Sequence, residues 1–521
     1  QWVSNDPATA ARHHANLAGL TINQARREIV TALETEGAIE GEPEKLRRPV
    51  KFYERGERPL EFVVTRQWFV KILDKKKALL GQGHKVAWHP AVMHKRYQDW
   101  VEGLNQDWCV SRQRYFGVPI PVWYGVAADG TVDYSSLITP RKEDLPVDPS
   151  AETPSGFSSD QRGQPGGFVG DPDVFDTWGT SSLTPLIVSG WPDDHARHGA
   201  LYPNDLRPQA HDIIRTWAFY TITRSYLEDG SIPWKHAAIS GFILDPDRKK
   251  MSKSKGNVVV PTDTLDQFGS DAVRYWAASG RLGWDSAWDP KVLKDGRRLT
   301  TKLLNAARLV YGYGGDPGEV AAPLDRALIA RLQSAIVQIT KRWDAWEHQN
   351  ALALAETWFW SDLCDNYLEL SKGRAYRSDP SAIATLRLAM GVVLRLFAPI
   401  VPFMTEEIWQ TVAGQKESVH VAPWPTAEEL PAGEDDGCFN AAVEVLTQVR
   451  RAKSQAKVSM RFPVRQLRVS GTEAQLGSLK LVMEDVTETG NVADYELVAD
   501  GAAESLVAET QLDESEAGKR A

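Results

Sequence analysis

At 521 residues the chain is too long for one hydrophobic core, so three or four domains are expected. Hydrophobic content of 42% and charged content of 25% are ordinary for a globular protein, and a net charge of -9 argues against an indiscriminate nucleic-acid coat while leaving room for a polyanion met by local basic patches. Cys109, Cys364 and Cys438 are too far apart for a disulfide framework or a Cys-based zinc knuckle, and the histidines contain no H-E-x-x-H, so no structural metal is expected.

The first residues, QWVSNDPATAARHHANLAG, lack the apolar stretch of a signal peptide. A start on Gln rather than Met and an acidic, Ala-rich end suggest a piece of something longer. Residues 1–48 carry a helical pattern, TINQARREIVTALETEGAIEGEP, stopped by Gly and Pro. PVKFYERGERPLEFVVTRQWFVKIL then reads as short, Pro-punctuated strands. Residues 126–172 are polar and rich in Gly, Ser, Asp and Pro, and read as a surface insertion or long loop.

From about 173 to 290, strand-like runs such as HAAISGFIL alternate with amphipathic helices such as TDTLDQFGSDAVRYWAAS, the mark of a parallel α/β sheet. Beyond 291 three long segments, from DRALIARLQ through ALALAETWFW to AIATLRLAM, show three- and four-residue apolar spacing and predict an antiparallel helical bundle to about 430. Its most apolar run, LRLAMGVVLRLFAPIVPFM, is broken by Arg387, Arg395 and two prolines, so no membrane segment is expected and the cytoplasm is the default compartment. Most of the nineteen tryptophans are expected in cores, the Trp-rich helix ETWFWSDLCDNYLELSKGRAY included. Residues 431–521 read as a small α/β tail with a basic helix around LTQVRRAKSQAK, without the heptads of a coiled coil.

One stretch, GFILDPDRKKMSKSKGNVVVPTDTL, places Arg248, Lys249, Lys250, Lys253 and Lys255 within eight residues of an otherwise acidic chain. It leaves a buried strand and precedes a helix, the position where ligands bind in open α/β sheets. A loop bearing ammonium groups there can close over a triphosphate and follow its charge to pyrophosphate. A solvated lysine-rich turn is the plain alternative.

The string Lys250-Met251-Ser252-Lys253-Ser254, followed by Lys255-Gly256-Asn257, resembles the second signature of class I aminoacyl-tRNA synthetases. DWCVSRQRYFGVPIPVWY (107–124) is similar to the region after the editing insertion of the valyl, isoleucyl and leucyl members. The resemblance spans nearly the whole chain. It implies the second half of a Rossmann-like catalytic core over 49–290, then an anticodon-binding bundle over 291–430 and the small tail. It implies that Lys250 and Lys253 stabilise the pyrophosphate leaving group, that Met251, Ser252, Ser254 and Asn257 support the loop or touch ATP, and that ATP enters with Mg²⁺.

DVFDTWGTSSLTP (173–185) and LRPQAHDIIRTWAFYTITRS (206–225) are similar to the valyl members, where isoleucyl ones show FDSG and EGxDQxRGW. By that resemblance Trp178, Asp212 and Ile213 surround the amino acid: Asp212 neutralises the ammonium group and the apolar pair limits the side chain to valine size. Asp212 is equally placed to cap a helix ahead of IIRTW, and Trp178 and Ile213 to be plain core. His211 either touches the adenylate or satisfies a carbonyl.

An apolar pocket discriminates weakly against an isostere, so such an enzyme needs an editing site, of whose insertion residues 1–48 resemble only the last part. The family's first signature, His-x-Gly-His, is absent, which implies that the isolated chain is an incomplete enzyme. DGRRLTTKLLNAARLVYGY (295–313) resembles the segment joining the catalytic domain to the bundle, with Arg297, Arg298, Lys302, Asn305 and Arg308 available to tRNA or to packing. The expected partners are valine, ATP and tRNA(Val), and the expected state is a monomer. An isoleucyl enzyme and a non-catalytic tRNA-binding protein are the alternatives.

Overall fold

Parallel strands need their faces covered, and in this protein it is the central strand, WKHAAIS, that is mostly buried. The computed structural model describes residues 6–41, 44, 50–52, 59–60, 65–251, 256–513 and 515. It divides into two units, Gln1–Arg66 and Gln67–Ala521. The first unit holds helices α1 (Pro7–Leu17) and α2 (Ile22–Thr35), neither with a buried residue. Their starts are local in origin: Asp6 accepts from the Thr9 N–H ahead of Pro7, and Thr21 and Gln24 form a reciprocal capping box.

In the second unit, strands β1 (Ala87–His89), β2 (Asn204–Ala210) and β3 (Trp234–Ser240) form a parallel sheet in the order β1-β3-β2. In register, Ala238 faces His89 on one side and Pro208 on the other. Central β3 carries the buried apolar residues Trp234, Ala237 and Ile239, whereas Pro208, which cannot donate to a ladder, sits on the edge. Past β3 the chain runs under the Trp284 backbone, and a Cβ on Gly241 would come within 2.1 Å of that carbonyl oxygen, so only glycine fits.

The polar stretch 126–172 is not a bare loop. Strands Trp123–Val126, Val132–Ile138 and Phe168–Gly170 build a three-stranded antiparallel sheet over a small core of Trp123, Val147 and Phe168. Asp171 is buried beneath it and accepts hydrogen bonds from Trp68 Nε1 (2.7 Å) and the Tyr124 hydroxyl (2.6 Å). Gly, Ser and Pro dominate the sequence there because turns fill most of the length between few apolar anchors.

Helices α3 (Pro290–Gly312), α4 (Pro323–Asp344), α5 (His348–Thr357, continued by a wider turn through Tyr367), α6 (Pro380–Phe397) and α7 (Pro402–Glu407) form the bundle. Proline begins four of the five, where its missing N–H costs nothing, and Asp289 and Asp379 cap two of them. The third predicted run is split in two by Pro399 and Pro402. By length and composition alone α6 could cross a membrane, but 72% of it is buried inside the protein.

Helix α8 (Cys438–Gln455) packs with a mixed sheet in which Val464–Gly471 runs between Val492–Ala499 (parallel) and Val507–Leu512 (antiparallel). The sequence suggests a separate tail here, yet one apolar core runs from Tyr275 through Leu332 and Phe397 to Val469 and Leu506. Arg374 ties the parts together, bonding Asp325 (2.6 Å), Asp379 (3.2 Å) and, from the far side, Asp485 (2.8 Å).

Candidate functional site

The carboxyl ends of β2 and β3 open into a cavity of about 480 Å³. Ala210 and Asp212 come from the end of β2, Ser240 to Ile243 from the exit of β3, and Trp276, Leu282 and Trp284 supply most of the apolar wall, with His348 reaching in from the bundle. Asp212 is exposed to this space and has no hydrogen bond or ion pair among the described residues. It is not a helix cap: the short turn His211–Ile213 is preceded by Ala210, and the turn after it by Ile213.

His211 stands beside the cavity with its ring edge-on to Phe242, centroids 4.4 Å apart. Arg96 donates to His211 Nδ1 (3.4 Å), which leaves Nε2 to donate to Asp285 Oδ1 (3.3 Å). Of the expected alternatives for this ring, the backbone carbonyl gives way to a carboxylate partner. The same carboxylate accepts the Phe242 N–H at 2.7 Å; that bond first, and His211 after it, holds Asp285 below the usual carboxylate range.

Phe242 links this corner to the lysine loop, because Lys250 Nζ lies 3.9 Å from the centre of its ring. The base of the loop is organised by buried Asp245. Its carboxylate accepts the Lys249 N–H (2.7 Å) and the Asn257 side-chain amide (2.8 Å), and the latter also donates to the Lys250 carbonyl (3.3 Å). Those bonds, Asn257's first, hold Asp245 below its ordinary value. Asn257 thus fastens the two ends of the loop to each other. Met251 is half-buried, while Ser252, Lys253 and Ser254 lie outside the described residues.

The structure brings Asp212, His211 and Lys250 to one corner, but it places neither Trp178 nor Ile213 on the cavity wall. Trp178 sits in the short helix Thr177–Ser181, which is fastened to Trp217 through a bond from Trp217 Nε1 to the Ser181 carbonyl (3.1 Å). Trp276, Trp284 and His348 went unnoticed in sequence because they lie outside the strings that carry the resemblance; the tryptophan-rich run RYWAASGRLGWDSAWD was the available signal. Among the described residues no cluster of three or more His, Cys, Asp or Glu side chains can hold a metal ion.

On α3 a second hollow of about 700 Å³ is lined by Lys294, Arg297, Arg298, Lys302 and Asn305, with Phe268 and Trp360. Arg298 and Lys302 lie 5.4 and 5.5 Å from the Trp360 ring. Arg308 is exposed but not part of it. In the Trp-rich helix Trp358 and Phe359 are buried core, and Trp360 alone of the three faces this basic hollow.

A family model described as tRNA synthetases class I (I, L, M and V) matches residues 11–289, and one described as the anticodon-binding domain of tRNA ligase matches 325–469. The chain belongs to the class I tRNA synthetase family. Among its curated relatives are the valine--tRNA ligases of Thermobifida fusca (strain YX), 50% identical over 92% of this chain and 56% of the relative, and of Cutibacterium acnes, 46% identical over 100% of this chain and 60% of the relative. The chain thus spans under two thirds of the length of these relatives. Mycobacterium tuberculosis methionyl-tRNA synthetase in complex with methionyl-adenylate shares the fold, with a TM-score of 0.51 at 18% identity over 73% of each chain.

Proposed function

We propose that this chain is the amino-acid- and tRNA-engaging portion of a valine--tRNA ligase, which condenses valine with ATP and passes the valyl group to tRNA(Val). The observation that carries the reading is Asp212, a carboxylate without a partner among the described residues, on the wall of an aromatic-lined cavity at the carboxyl end of a parallel sheet. A carboxylate there offers charge to an ammonium group, while Trp276, Leu282 and Trp284 offer an apolar surface. The valine carboxylate oxygen would bond to the α-phosphorus of ATP as the bond to the β-phosphate breaks. Negative charge then moves onto pyrophosphate, toward Lys250 and Lys253, with Mg²⁺ arriving as part of the nucleotide substrate. Asp245 and Asn257 hold the loop from below so that its cations meet that charge. The basic hollow around Arg298 and Lys302 suits the phosphodiester backbone of the tRNA, with Trp360 as a stacking face.

The test is a pair of measurements on the chain. Gel-shift binding of tRNA(Val) is expected, with Lys302→Ala lowering the dependence of affinity on salt by about one phosphate contact. Valine-dependent ATP–pyrophosphate exchange is expected only from a polypeptide that also carries a His-x-Gly-His signature, and there Asp212→Asn and Lys253→Ala are expected to abolish it. Exchange driven better by isoleucine, or full exchange in the Asp212→Asn variant, would overturn the reading.

A further inference from the structure

The bundle residue that reaches the cavity, His348, follows a strained turn. Trp346, in the elbow between α4 and α5, has φ 62°, a left-handed conformation that costs a bulky residue and persists only where its surroundings impose it. Its ring stacks on His89 (centroids 4.2 Å apart, planes 20° apart) and on His236 (5.3 Å, 28°), and those two imidazoles share a hydrogen bond of 3.0 Å. His89 ends β1 and His236 lies in β3, so the elbow is pressed onto the catalytic sheet itself. Within the elbow the Trp346 N–H donates to the Trp343 carbonyl (3.0 Å), and Arg342 bonds Glu347 (2.7 Å).

Two residues further on, His348 Nε2 is 2.8 Å from the Gly280 carbonyl oxygen. A carbonyl only accepts, so this nitrogen carries the proton. Gly280, Arg281 and Leu282 form one wall of the cavity, and the segment is hung at its other end by the Gly283 N–H on the Ile239 carbonyl of β3 (2.7 Å). Behind this wall lies a second hollow of about 480 Å³ bounded by Trp343, Trp346 and Ala238. Leu282 and His348 border both hollows, so space lies on two sides and hydrogen bonds, more than packing, hold the wall in place.

We propose that His348 is a positioning residue for the amino-acid cavity, fixing the wall Gly280–Leu282 through the Gly280 carbonyl while the Trp346 stack on His89 and His236 locks the elbow that presents it. The wall's place sets how large a side chain the cavity accepts, so a residue of the tRNA-binding bundle trims the amino-acid site. The size-setting part rests on the reading of the cavity as the valine site; the mechanical part does not.

Hydrogen–deuterium exchange on the full chain, with and without valine, tests both. His348→Ala is expected to speed exchange at 277–286 by about tenfold while β2 and the bundle core keep their protection. His348→Gln, which retains a donor amide, is expected to restore most of it. Trp346→Gly removes strain and ring together, and is expected to loosen the same segment despite the relieved backbone. Unchanged exchange at 277–286 in His348→Ala, or an equal rise throughout the unit, would overturn the proposal. Valine is expected to protect this wall in the wild type, with half-protection needing about tenfold more valine in His348→Ala. Failure of valine to protect the wild-type wall at any concentration sinks the valine-site reading and the size-setting part with it, leaving the mechanical part to the variants alone.

Discussion

In the helical bundle the most deeply buried charges are matched. Asp325 is fully enclosed, yet it receives Arg374, the Tyr367 hydroxyl (2.8 Å) and the Ser381 hydroxyl (2.7 Å). In the parallel sheet, buried groups at the strand that leads to the site go unbonded. Gln209 on β2 is buried with neither amide atom partnered among the described residues, and Trp234 Nε1 and Arg207 Nε are buried without a hydrogen bond among those residues, although the Arg207 guanidinium stacks on the Trp217 ring. Burying a polar group unbonded is costly, so the region that leaves it so is not optimised for stability alone. Gln209 and Arg207 lie on β2, the strand that ends in His211 and Asp212, and Trp234 begins its neighbour β3. The bundle too leaves buried groups unbonded, among them the Tyr313 hydroxyl and Trp358 Nε1, so the contrast is confined to its enclosed ion cluster around Asp325, which is matched.

The sharpest way to break this contrast is at Arg374. Arg374→Met would strand Asp325 and Asp485 as buried charges and is expected to cost about 3–5 kcal/mol in urea unfolding monitored by circular dichroism. A loss below about 1 kcal/mol would show that the bundle does not depend on its matched charges. The opposite result is expected in the sheet. Gln209→Leu removes a buried amide with no partner among the described residues, so stability should stay within about 1 kcal/mol of wild type, with the shift more often upward. A large loss there would mean that Gln209 has partners in solution and that the contrast is false.

The smallest effect concerns the elbow. Burial first, and the neighbouring His236 second, holds the His89 imidazole below its ordinary pKa of 6.5. The unfolded chain therefore takes up this proton first as pH falls through 6.5, and the folded state loses stability until its own lower pKa is passed. His348 carries the same sign, with burial as the cause. Burial raises the carboxyls of Asp271 and Glu356, whose contribution runs the other way, so overall melting sums opposed terms. Imidazole NMR reads the site directly: a His89 midpoint below 6.5 is expected, and one at or above it contradicts the stacked neutral pair.

Much of this architecture was legible in the chain. Pro at helix starts, Asp caps, three- and four-residue spacing and the alternation of strands with helices are local signals, and each marks its element. The lysine string and the His211–Asp212 pair were equally readable, because a loop at a strand end and a residue just past it keep their neighbours whatever the rest does. Of the two readings of 126–172, insertion or long loop, the sequence could not choose for the converse reason: few apolar anchors in a long polar run give no period, although Trp123, Val147 and Phe168 suffice to nucleate a small sheet. The continuity of the core between bundle and tail was hidden as well, since nothing in Val469 or Leu506 announces which helix they will meet.

By itself the sequence determined the family, the order of sheet and bundle, the lysine loop and the carboxylate that faces the cavity, all of which rest on residues close together in the chain. Only the tertiary structure decided what walls that cavity. Phe242, Trp276, Trp284 and His348 meet there while Trp178 and Ile213 do not, because their meeting depends on how a parallel sheet, the helix beyond it and an elbow more than a hundred residues from Phe242 pack together.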